Sequence, residues 1–352
     1  MILNVNEEKT KPAQKSINEL KSTGLNPDIV ILRSKVECKK ETFQKISSMC
    51  DIHMINIISC PDLEYVYDVP LFLNETLLVS LVFKKLLLYK KKYTANFLQR
   101  FYDISSKLHD ENLPKITIGI VGKYTDVKDS YISLIKALEH ACLYKNYKLV
   151  YTLIDSTNLK GISFKNYDGI VVPGGFGIKG TEGKLEAIKY CRENNVPFLG
   201  ICYGFQLAII ELLRNVLNVK KATSIELEPE SIENHCITVI DSDSLNNLGG
   251  SMVLGEHLVN FLNKTNLYDS QIIYERCRHR YEVSSDFYKY FNDSTLEFIA
   301  TDSTGKRLTV FKSKVHDFFV GVQYHPEFLS KFYKPSSIFV KYIESILKRK
   351  FM

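Results

Sequence analysis

One cysteine of this chain lies in the pattern Gly-Xaa-Cys-Xaa-Gly, at residues 200–204, between an apolar run and a helical pattern. In this pattern a nucleophile is pushed out at the carboxyl end of a strand, and the two glycines tolerate the crowded turn. The amino end of the helix that follows favours a thiolate, because its N–H groups and dipole stabilise negative charge. Cys202 is therefore a candidate nucleophile. The alternative is a small buried apolar residue, which is the usual environment of a free cysteine.

A candidate base follows far downstream, in the segment "FFVGVQYHPEF". The apolar run in this segment ends at His325, and Glu327 lies two residues further on. An imidazole can accept the proton of a thiol and deliver it to a leaving group, and a carboxylate can hold the ring in orientation. We therefore predict that Cys202, His325 and Glu327 form a triad where two strands of one sheet end.

A glycine-rich run, "VVPGGFGIKGTEGK" at residues 171–184, is the third chemical feature. A backbone without Cβ atoms can bring its N–H groups close to a substrate, and such groups can form an oxyanion hole. A phosphate loop would need Ser or Thr after its Gly-Lys pair, but Gly183-Lys184 is followed by Leu185. The run therefore favours oxyanion stabilisation over phosphate binding.

The elements that must position these groups alternate between strand and helix from residue 115 onward. Such alternation indicates βαβ units around a parallel sheet, with ligands bound beyond the carboxyl ends of its strands. Residues 235–323 contain shorter, strand-like segments. Strands are expected from 115 and near 148–154, 169–172 and 196–201, and helices near 129–145, 182–194 and 335–350.

The first part of the chain has its own pattern. Residues 28–33 and 55–59 predict two buried strands, with helical patterns between them and over 71–88. A charged stretch then ends in a proline, which indicates a connecting helix and linker. We therefore expect a first domain over 1–88, a linker over 89–114 and a second domain over 115–352.

Composition excludes several other classes of protein. The chain has 352 residues, is 45% hydrophobic, and balances 46 basic against 40 acidic residues, so no nucleic-acid stripe is indicated. Its eight cysteines show no Cys-x-x-Cys spacing, which indicates neither a disulfide framework nor a metal site. The most apolar stretch, 69–89, is interrupted by polar and charged residues and does not predict a membrane span. We expect a cytoplasmic protein with no nucleic-acid or membrane partner.

Several motifs in a fixed order resemble those of class I glutamine amidotransferases and, more narrowly, the C-terminal half of CTP synthases. The resemblance extends to "EEKTKPAQKSINELKSTGLNPDIVILRS" at residues 7–34. It implies an α/β fold with an open parallel, flavodoxin-like amidotransferase sheet, preceded by part of a P-loop-type synthetase domain. The motifs are "GIVGKYTDVKDSYISLIKALEHA", "VPGGFGIKGTEGK", "GICYGFQLAIIELLRNVL", "LGGSMVLG", "ERCRHRYEV" and "GVQYHPEFLS".

The resemblance implies a role for each residue of the triad. Cys202 would attack the carboxamide carbon of glutamine, His325 would protonate the departing ammonia, and Glu327 would orient His325. The backbone N–H groups of Gly175 and Tyr203 would hold the oxyanion.

Further residues are implied to bind substrates. Gln206, Glu226 and Arg280 match positions that grip the ammonium and carboxylate ends of glutamine, and a bidentate arginine suits a carboxylate. Four residues of the first part match positions that contact UTP or the inhibitor CTP across a tetramer interface: Lys9, Lys11, Gln14 and Lys45. The alternative for these lysines is an ordinary solvated surface.

The chain also departs from the family. It contains no Walker-type loop, so the ATP and Mg²⁺ that the full enzyme uses have no recognisable site in these residues. We expect a fragment of a longer enzyme, with Met1 an internal methionine or a mis-set start, or else a reduced protein that keeps the glutaminase half. Val253 replaces an arginine linked to activation by GTP, and Cys277 replaces a histidine, so a response to GTP is left open.

Three functional hypotheses follow. The first is a CTP synthase whose Cys-His-Glu triad supplies ammonia for the ATP-dependent amination of UTP, with the ATP-binding part missing from this chain. The second is a stand-alone glutaminase or γ-glutamyl hydrolase. The third is a non-catalytic regulatory subunit of a full-length CTP synthase.

Overall fold

The computed structural model describes residues 8–88, 96–123, 125, 127–240 and 252–351. Residues 89–95, where the expected linker begins, and 248–251 of the "LGGSMVLG" motif lie outside these ranges. The chain divides into two compact units, of which the first ends at Glu111 and the second begins at Asn112.

The first unit contains a two-stranded parallel sheet in which Val30 lies opposite Ile57. Both predicted strands are confirmed, and the helical pattern over 71–88 forms two helices because the chain turns at Thr76 and Leu77. Its apolar core includes Ile17 and Ile46, one from each of two packed helices. The elements are α1 (Lys11–Ser22), β1 (Val30–Ser34), α2 (Lys40–Cys50), β2 (Ile57–Pro61), α3 (Asp68–Glu75), α4 (Leu78–Lys85) and α5 (Asn96–His109).

Helix α5 is the helix expected within 89–114, and it packs against α3 of the first unit. Ser105 donates a hydrogen bond of 2.6 Å to Asp68 Oδ1, and His109 Nε2 lies 3.1 Å from Asp68 Oδ2. These polar contacts attach the helix to the first unit, and the division between units falls after it.

The second unit follows the predicted alternation of strands and helices. It begins with β3 (Lys115–Gly122), α6 (Ile132–Tyr144), β4 (Lys148–Asp155), β5 (Gly169–Val172), α7 (Thr181–Glu193), β6 (Phe198–Ile201) and α8 (Tyr203–Asn215). It continues with β7 (Thr223–Ser224), β8 (His235–Val239), β9 (Val253–Phe261), β10 (Ile272–His279), β11 (Tyr281–Val283), β12 (Leu296–Asp302), β13 (Leu308–Ser313), β14 (Phe319–Val322) and α9 (Ser337–Lys350).

Among the described residues, nine of these strands form one sheet in the order β10-β9-β12-β13-β14-β6-β5-β3-β4. The run β14-β6-β5-β3-β4 is parallel throughout and has the strand order of flavodoxin-like folds, which confirms the expected fold class. Strands of the segment 235–323 extend this sheet as an antiparallel edge, and two of them, β8 and β11, form a separate sheet with β7 in the order β11-β8-β7.

Helices cover both faces of the parallel region. Helices α6 and α9 pack in one apolar cluster with Val171, whereas α7 and α8 pack in another with Ile170 and Val172. Successive strand residues point to opposite faces, so the fully buried strand β5 supplies both clusters.

Three neighbouring strands end at the same edge of the sheet. Val172 of β5 pairs with Gly200 of β6, and Ile201 of β6 pairs with Val322 of β14. The segments that follow these strands contain the glycine-rich run, Cys202 and His325. The register of the parallel strands therefore brings together the three chemical features of the sequence.

Within the described ranges, every helix falls short of the length and apolarity that crossing a membrane requires.

Helix α8 approaches the end of β5 so closely that its second residue must be glycine. A Cβ atom on Gly204 would lie 2.1 Å from the carbonyl oxygen of Val172, and backbone atoms cannot rotate away as a side chain can. A Cβ atom on Gly175, by contrast, would meet no neighbouring atom closer than 3.5 Å.

We therefore expect Gly204→Ala to lower the free energy of unfolding of the second unit by about 1–3 kcal/mol or more. Thermal denaturation measures this effect, with Gly175→Ala as the matched control that keeps the wild-type melting temperature. Equal melting temperatures for the two variants would contradict the close approach of α8 to β5.

Candidate active site

Cys202 occupies a sharp turn between β6 and α8. Its backbone has φ 51° and ψ −96°, a conformation that costs a non-glycine residue about 1–3 kcal/mol. Its N–H donates a 2.7 Å hydrogen bond to the carbonyl of Val322 on the neighbouring strand β14, which holds the turn in place. The side chain is 6% exposed, and its Sγ lies 3.8 Å from the carbonyl oxygen of Arg278. The predicted nucleophile elbow is thus present in the backbone.

His325 and Glu327 lie together beside this turn. His325 Nδ1 is 2.7 Å from Glu327 Oε1, and the N–H of His325 donates a 2.8 Å hydrogen bond to the carbonyl of Arg276. The ring stacks on Phe328, with 5.1 Å between centroids. A Cβ atom on Gly174 would come within 2.6 Å of the His325 ring, so the glycine makes room for the imidazole.

The pKa of His325 depends on its two side-chain partners, Cys202 and Glu327. Burial lowers the pKa of His325, but its interactions with Cys202 and Glu327 outweigh burial and raise that pKa well above its ordinary value. An imidazolium beside the sulfur is the state that a thiolate nucleophile requires. The structure therefore brings the three predicted triad residues into one interacting group.

Gly175 and Tyr203 also adjoin each other. A Cβ atom on Gly175 would lie 3.6 Å from Cδ1 of Tyr203. Tyr203 is the first residue of α8, so its N–H has no carbonyl partner within the helix. The Tyr203 hydroxyl is buried, donates a 3.0 Å hydrogen bond to the carbonyl of Gly177 and lies 2.9 Å from Thr181 Oγ1. Burial raises the pKa of Tyr203 to about 12, which keeps the phenol neutral.

Glu226 and Arg280 are placed beside the glycine-rich run by the small sheet β11-β8-β7. Glu226 follows β7 and accepts a 2.9 Å hydrogen bond from the N–H of Gly177, and Arg280 lies between β10 and β11. Burial raises the pKa of Glu226, while the Gly177 N–H and the nearby cations Lys123 and Arg280 oppose that rise. A carboxylate and a guanidinium are therefore available for the two charged ends of an amino acid.

Gln206 is buried and engaged with protein groups. Its Nε2 donates hydrogen bonds of 3.0 Å to the carbonyl of Tyr281 and 3.1 Å to Gln323 Oε1. Gln323 in turn lies between Gln206 and the nucleophile, with its Nε2 3.6 Å from Cys202 Sγ. Sequence reasoning missed Gln323, although its position two residues before His325 on the same buried segment was a usable signal.

Glu275 is a second buried residue that sequence reasoning missed. It is 4% exposed, and its Oε1 accepts a 3.2 Å hydrogen bond from Tyr268, whose hydroxyl also accepts one from Tyr324. Among the described residues, the remaining oxygens of Glu275 and Glu327 are both buried without hydrogen-bond partners. Burial raises the pKa of Glu275 to about 7, and the charge of Glu327 adds to the rise. No local sequence pattern marks a buried acid, because its burial depends on distant strands.

Two departures from the family pattern fall on β9 and β10. Val253 begins β9 and pairs with His279, and Cys277 is half-buried on β10. Burial raises the pKa of the Cys277 thiol to about 12, and the charges of Cys202 and Glu275 add to the rise. Cys277 is therefore a protonated thiol near the nucleophile.

The four residues matched to nucleotide binding lie in the first unit. Lys9, Lys11 and Lys45 are exposed, and Gln14 Nε2 donates a 2.9 Å hydrogen bond to Thr10 Oγ1. Lys11 and Gln14 line a shallow concavity on α1, whereas Lys45 belongs to α2. Their role stays a prediction.

The sequence matches two family models in the order of the two units. Residues 126–345 match the model described as glutamine amidotransferase class-I, and residues 1–88 match the model described as CTP synthase N-terminus. The first match covers more than half of the chain. This chain therefore belongs to the class I glutamine amidotransferases.

Its particular relatives within that family are CTP synthases, which confirms the resemblance described above. CTP synthase of Staphylococcus carnosus is 38% identical over 352 residues, covering 98% of this chain and 65% of the relative. Human CTP synthase 1 is 38% identical over 351 residues, covering 94% and 59%. A solved structure described as the Trypanosoma brucei CTPS glutaminase domain with bound acivicin is 34% identical, with a TM-score of 0.61. It covers 66% of this chain and 94% of that domain.

The raised pKa of Glu275 makes the stability of the second unit depend on pH. The folded state binds this proton more tightly than the unfolded state, whose carboxyl titrates near 4.5. Stability from this group is full below that value and is lost as the pH rises through about 7. Glu275→Gln should therefore flatten the fall in melting temperature between about pH 5 and 8.

Thermal denaturation across this pH range measures the effect, and the exposed Glu186→Gln serves as the matched control that keeps the wild-type slope. A Glu275→Gln curve parallel to that of the wild type would show that Glu275 is not a buried acid.

Proposed function

We propose that the second unit hydrolyses glutamine to glutamate and ammonia through a thioester on Cys202. The observation that carries this proposal is the group formed by Cys202, His325 and Glu327 at the carboxyl edge of the sheet, beside Gly175 and Tyr203. The raised pKa of His325 supports an imidazolium beside the Cys202 sulfur.

The reaction follows from this arrangement. The Cys202 sulfur bonds to the carboxamide carbon, and the carbonyl electron pair moves to oxygen, where the N–H groups of Gly175 and Tyr203 stabilise the charge. The carbon–nitrogen bond then breaks as His325 gives its proton to the departing ammonia. Water, deprotonated by the neutral imidazole, hydrolyses the thioester and releases glutamate. Glu327 holds the ring through its 2.7 Å contact with Nδ1 during both steps.

The site selects glutamine through protein charges that pair with the α-carboxylate and the α-ammonium of the substrate. We assign the α-carboxylate to Arg280 and the α-ammonium to Glu226, which the Gly177 N–H already orients at 2.9 Å. Gln206 supports the pocket through its hydrogen bonds to Gln323 and the Tyr281 carbonyl, and we assign its amide oxygen to the ammonium.

Cys202→Ala should reduce glutamate release by roughly 10³-fold or more, because no other group can form the thioester. Glutamate release from glutamine is the measurement, with circular dichroism to verify folding. Cys277→Ala is the matched control: this nearby thiol has a pKa raised to about 12, so its removal should leave hydrolysis intact. Undiminished release from Cys202→Ala would rule out the assigned nucleophile.

We propose that the released ammonia serves the amination of UTP to CTP, as the names of the relatives suggest. The chain spans between 59% and 65% of the length of the curated relatives described above, and it holds no Walker-type loop. We therefore derive no step that uses ATP or Mg²⁺ from these residues, although the complete reaction requires both. The same proposal includes activation by GTP, a homotetrameric assembly and a cytoplasmic location. It includes no nucleic-acid or membrane partner.

The nucleotide part of the proposal predicts that CTP binds the first unit through its exposed lysines. Joint substitution of Lys11 and Lys45 by Ala should abolish any CTP-dependent rise in melting temperature, because two phosphate-binding charges are lost. Lys160→Ala, an exposed lysine of the second unit, is the control. An unchanged CTP-dependent rise in the double variant would refute the assignment of these lysines.

A further inference from the structure

Lys184 is a buried cation that the proposed mechanism does not use. It lies on α7 as the last residue of the glycine-rich run, and it is only 1% exposed. Its ammonium lies over the ring of Tyr203, and the carboxylate of Glu226 acts on it electrostatically. Keeping a charge on a side chain that is almost fully buried costs free energy, and such residues are often found at functional sites.

The ammonium of Lys184 lies against both residues of the proposed oxyanion hole. Its Nζ is 3.5 Å from the position that a Cβ atom on Gly175 would occupy, and 4.8 Å from the centroid of the Tyr203 ring. The ring face offsets part of the missing hydration through a cation–π contact. Both contacts place the positive charge next to Gly175 and to the side chain of Tyr203, the two residues whose N–H groups would receive the oxyanion.

The charges around Lys184 leave the pocket positive before substrate binds. Lys184, Lys123 and Arg280 all act on one carboxylate, Glu226. Burial lowers the pKa of Lys184 to about 8, with a further decrease from Lys123, while Glu226 opposes the change. The lysine thus stays mainly protonated at neutral pH, and the pocket gains stability when negative charge enters it.

We propose that Lys184 supports the oxyanion hole electrostatically, so that its charge stabilises the tetrahedral intermediate formed on Cys202. This inference rests on the proposed glutamine hydrolysis and adds a residue to it. Lys184 keeps its proton throughout the reaction. When the sulfur–carbon bond forms, the carbonyl electron pair moves to the substrate oxygen. The positive charge of the Lys184 ammonium, next to Gly175, then lowers the energy of this oxyanion.

The test compares Lys184→Met, which keeps the length of the side chain and removes the charge, with Lys189→Met on the exposed side of the same helix. Glutamate release gives kcat and KM, and the rate of alkylation of Cys202 by iodoacetamide reports the nucleophile without forming an oxyanion. We expect Lys184→Met to lower kcat by about 10- to 100-fold, with KM and the alkylation rate within about twofold of wild type. Lys189→Met should match the wild type in all three.

Lys184→Arg keeps the charge and should recover part of kcat, which guards against a variant that fails only because it misfolds. Wild-type kcat in a folded Lys184→Met would overturn the role of Lys184 alone. A parallel loss of kcat and alkylation rate in both Lys184 variants would also overturn it, because the lysine would then merely hold the turn. Absence of glutamate release from the wild type and from Lys189→Met would overturn the proposed function as well.

Discussion

The strained backbone of Cys202 depends on hydrogen bonding and close packing on both sides of the turn. Its N–H is fixed to the carbonyl of Val322, and Gly204 lets α8 approach the carbonyl of Val172. A conformation that costs about 1–3 kcal/mol persists only where its surroundings determine it this strongly. The sulfur can therefore lie beside an imidazole, and the amino end of α8 can face the same point.

The electrostatics of the site follow from its burial. The raised pKa of His325 places an imidazolium beside the sulfur, and Lys184, whose pKa burial lowers to about 8, stays mainly protonated at neutral pH beside Gly175. Glu327 balances the imidazolium, whereas the pKa of the nearby Glu275 is raised by burial and by the charge of Glu327. In a low-dielectric pocket such fixed charges act strongly, because little water is present to screen them.

Much of the fold was predictable because its signals are local. The alternation of apolar runs and helical patterns from residue 115 onward gave the strands and helices of the parallel sheet close to their observed bounds. The antiparallel extension and the separate sheet β11-β8-β7 could not be derived, since pairing between distant strands leaves no periodic signal. The pattern over 71–88 was continuous in sequence but formed α3 and α4, because the turn at Thr76 and Leu77 interrupts it.

The sequence by itself determined which groups carry chemistry: a cysteine on a glycine-flanked turn, a His-x-Glu segment after an apolar run, and a glycine-rich loop. These are short patterns whose meaning comes from neighbouring residues. Only the tertiary structure decided what surrounds them. Glu275 lies beside Glu327, and the Lys184 ammonium lies over the Tyr203 ring, because strands and helices far apart in sequence pack there. Burial and electrostatic interaction depend on distance in space, which no local pattern encodes.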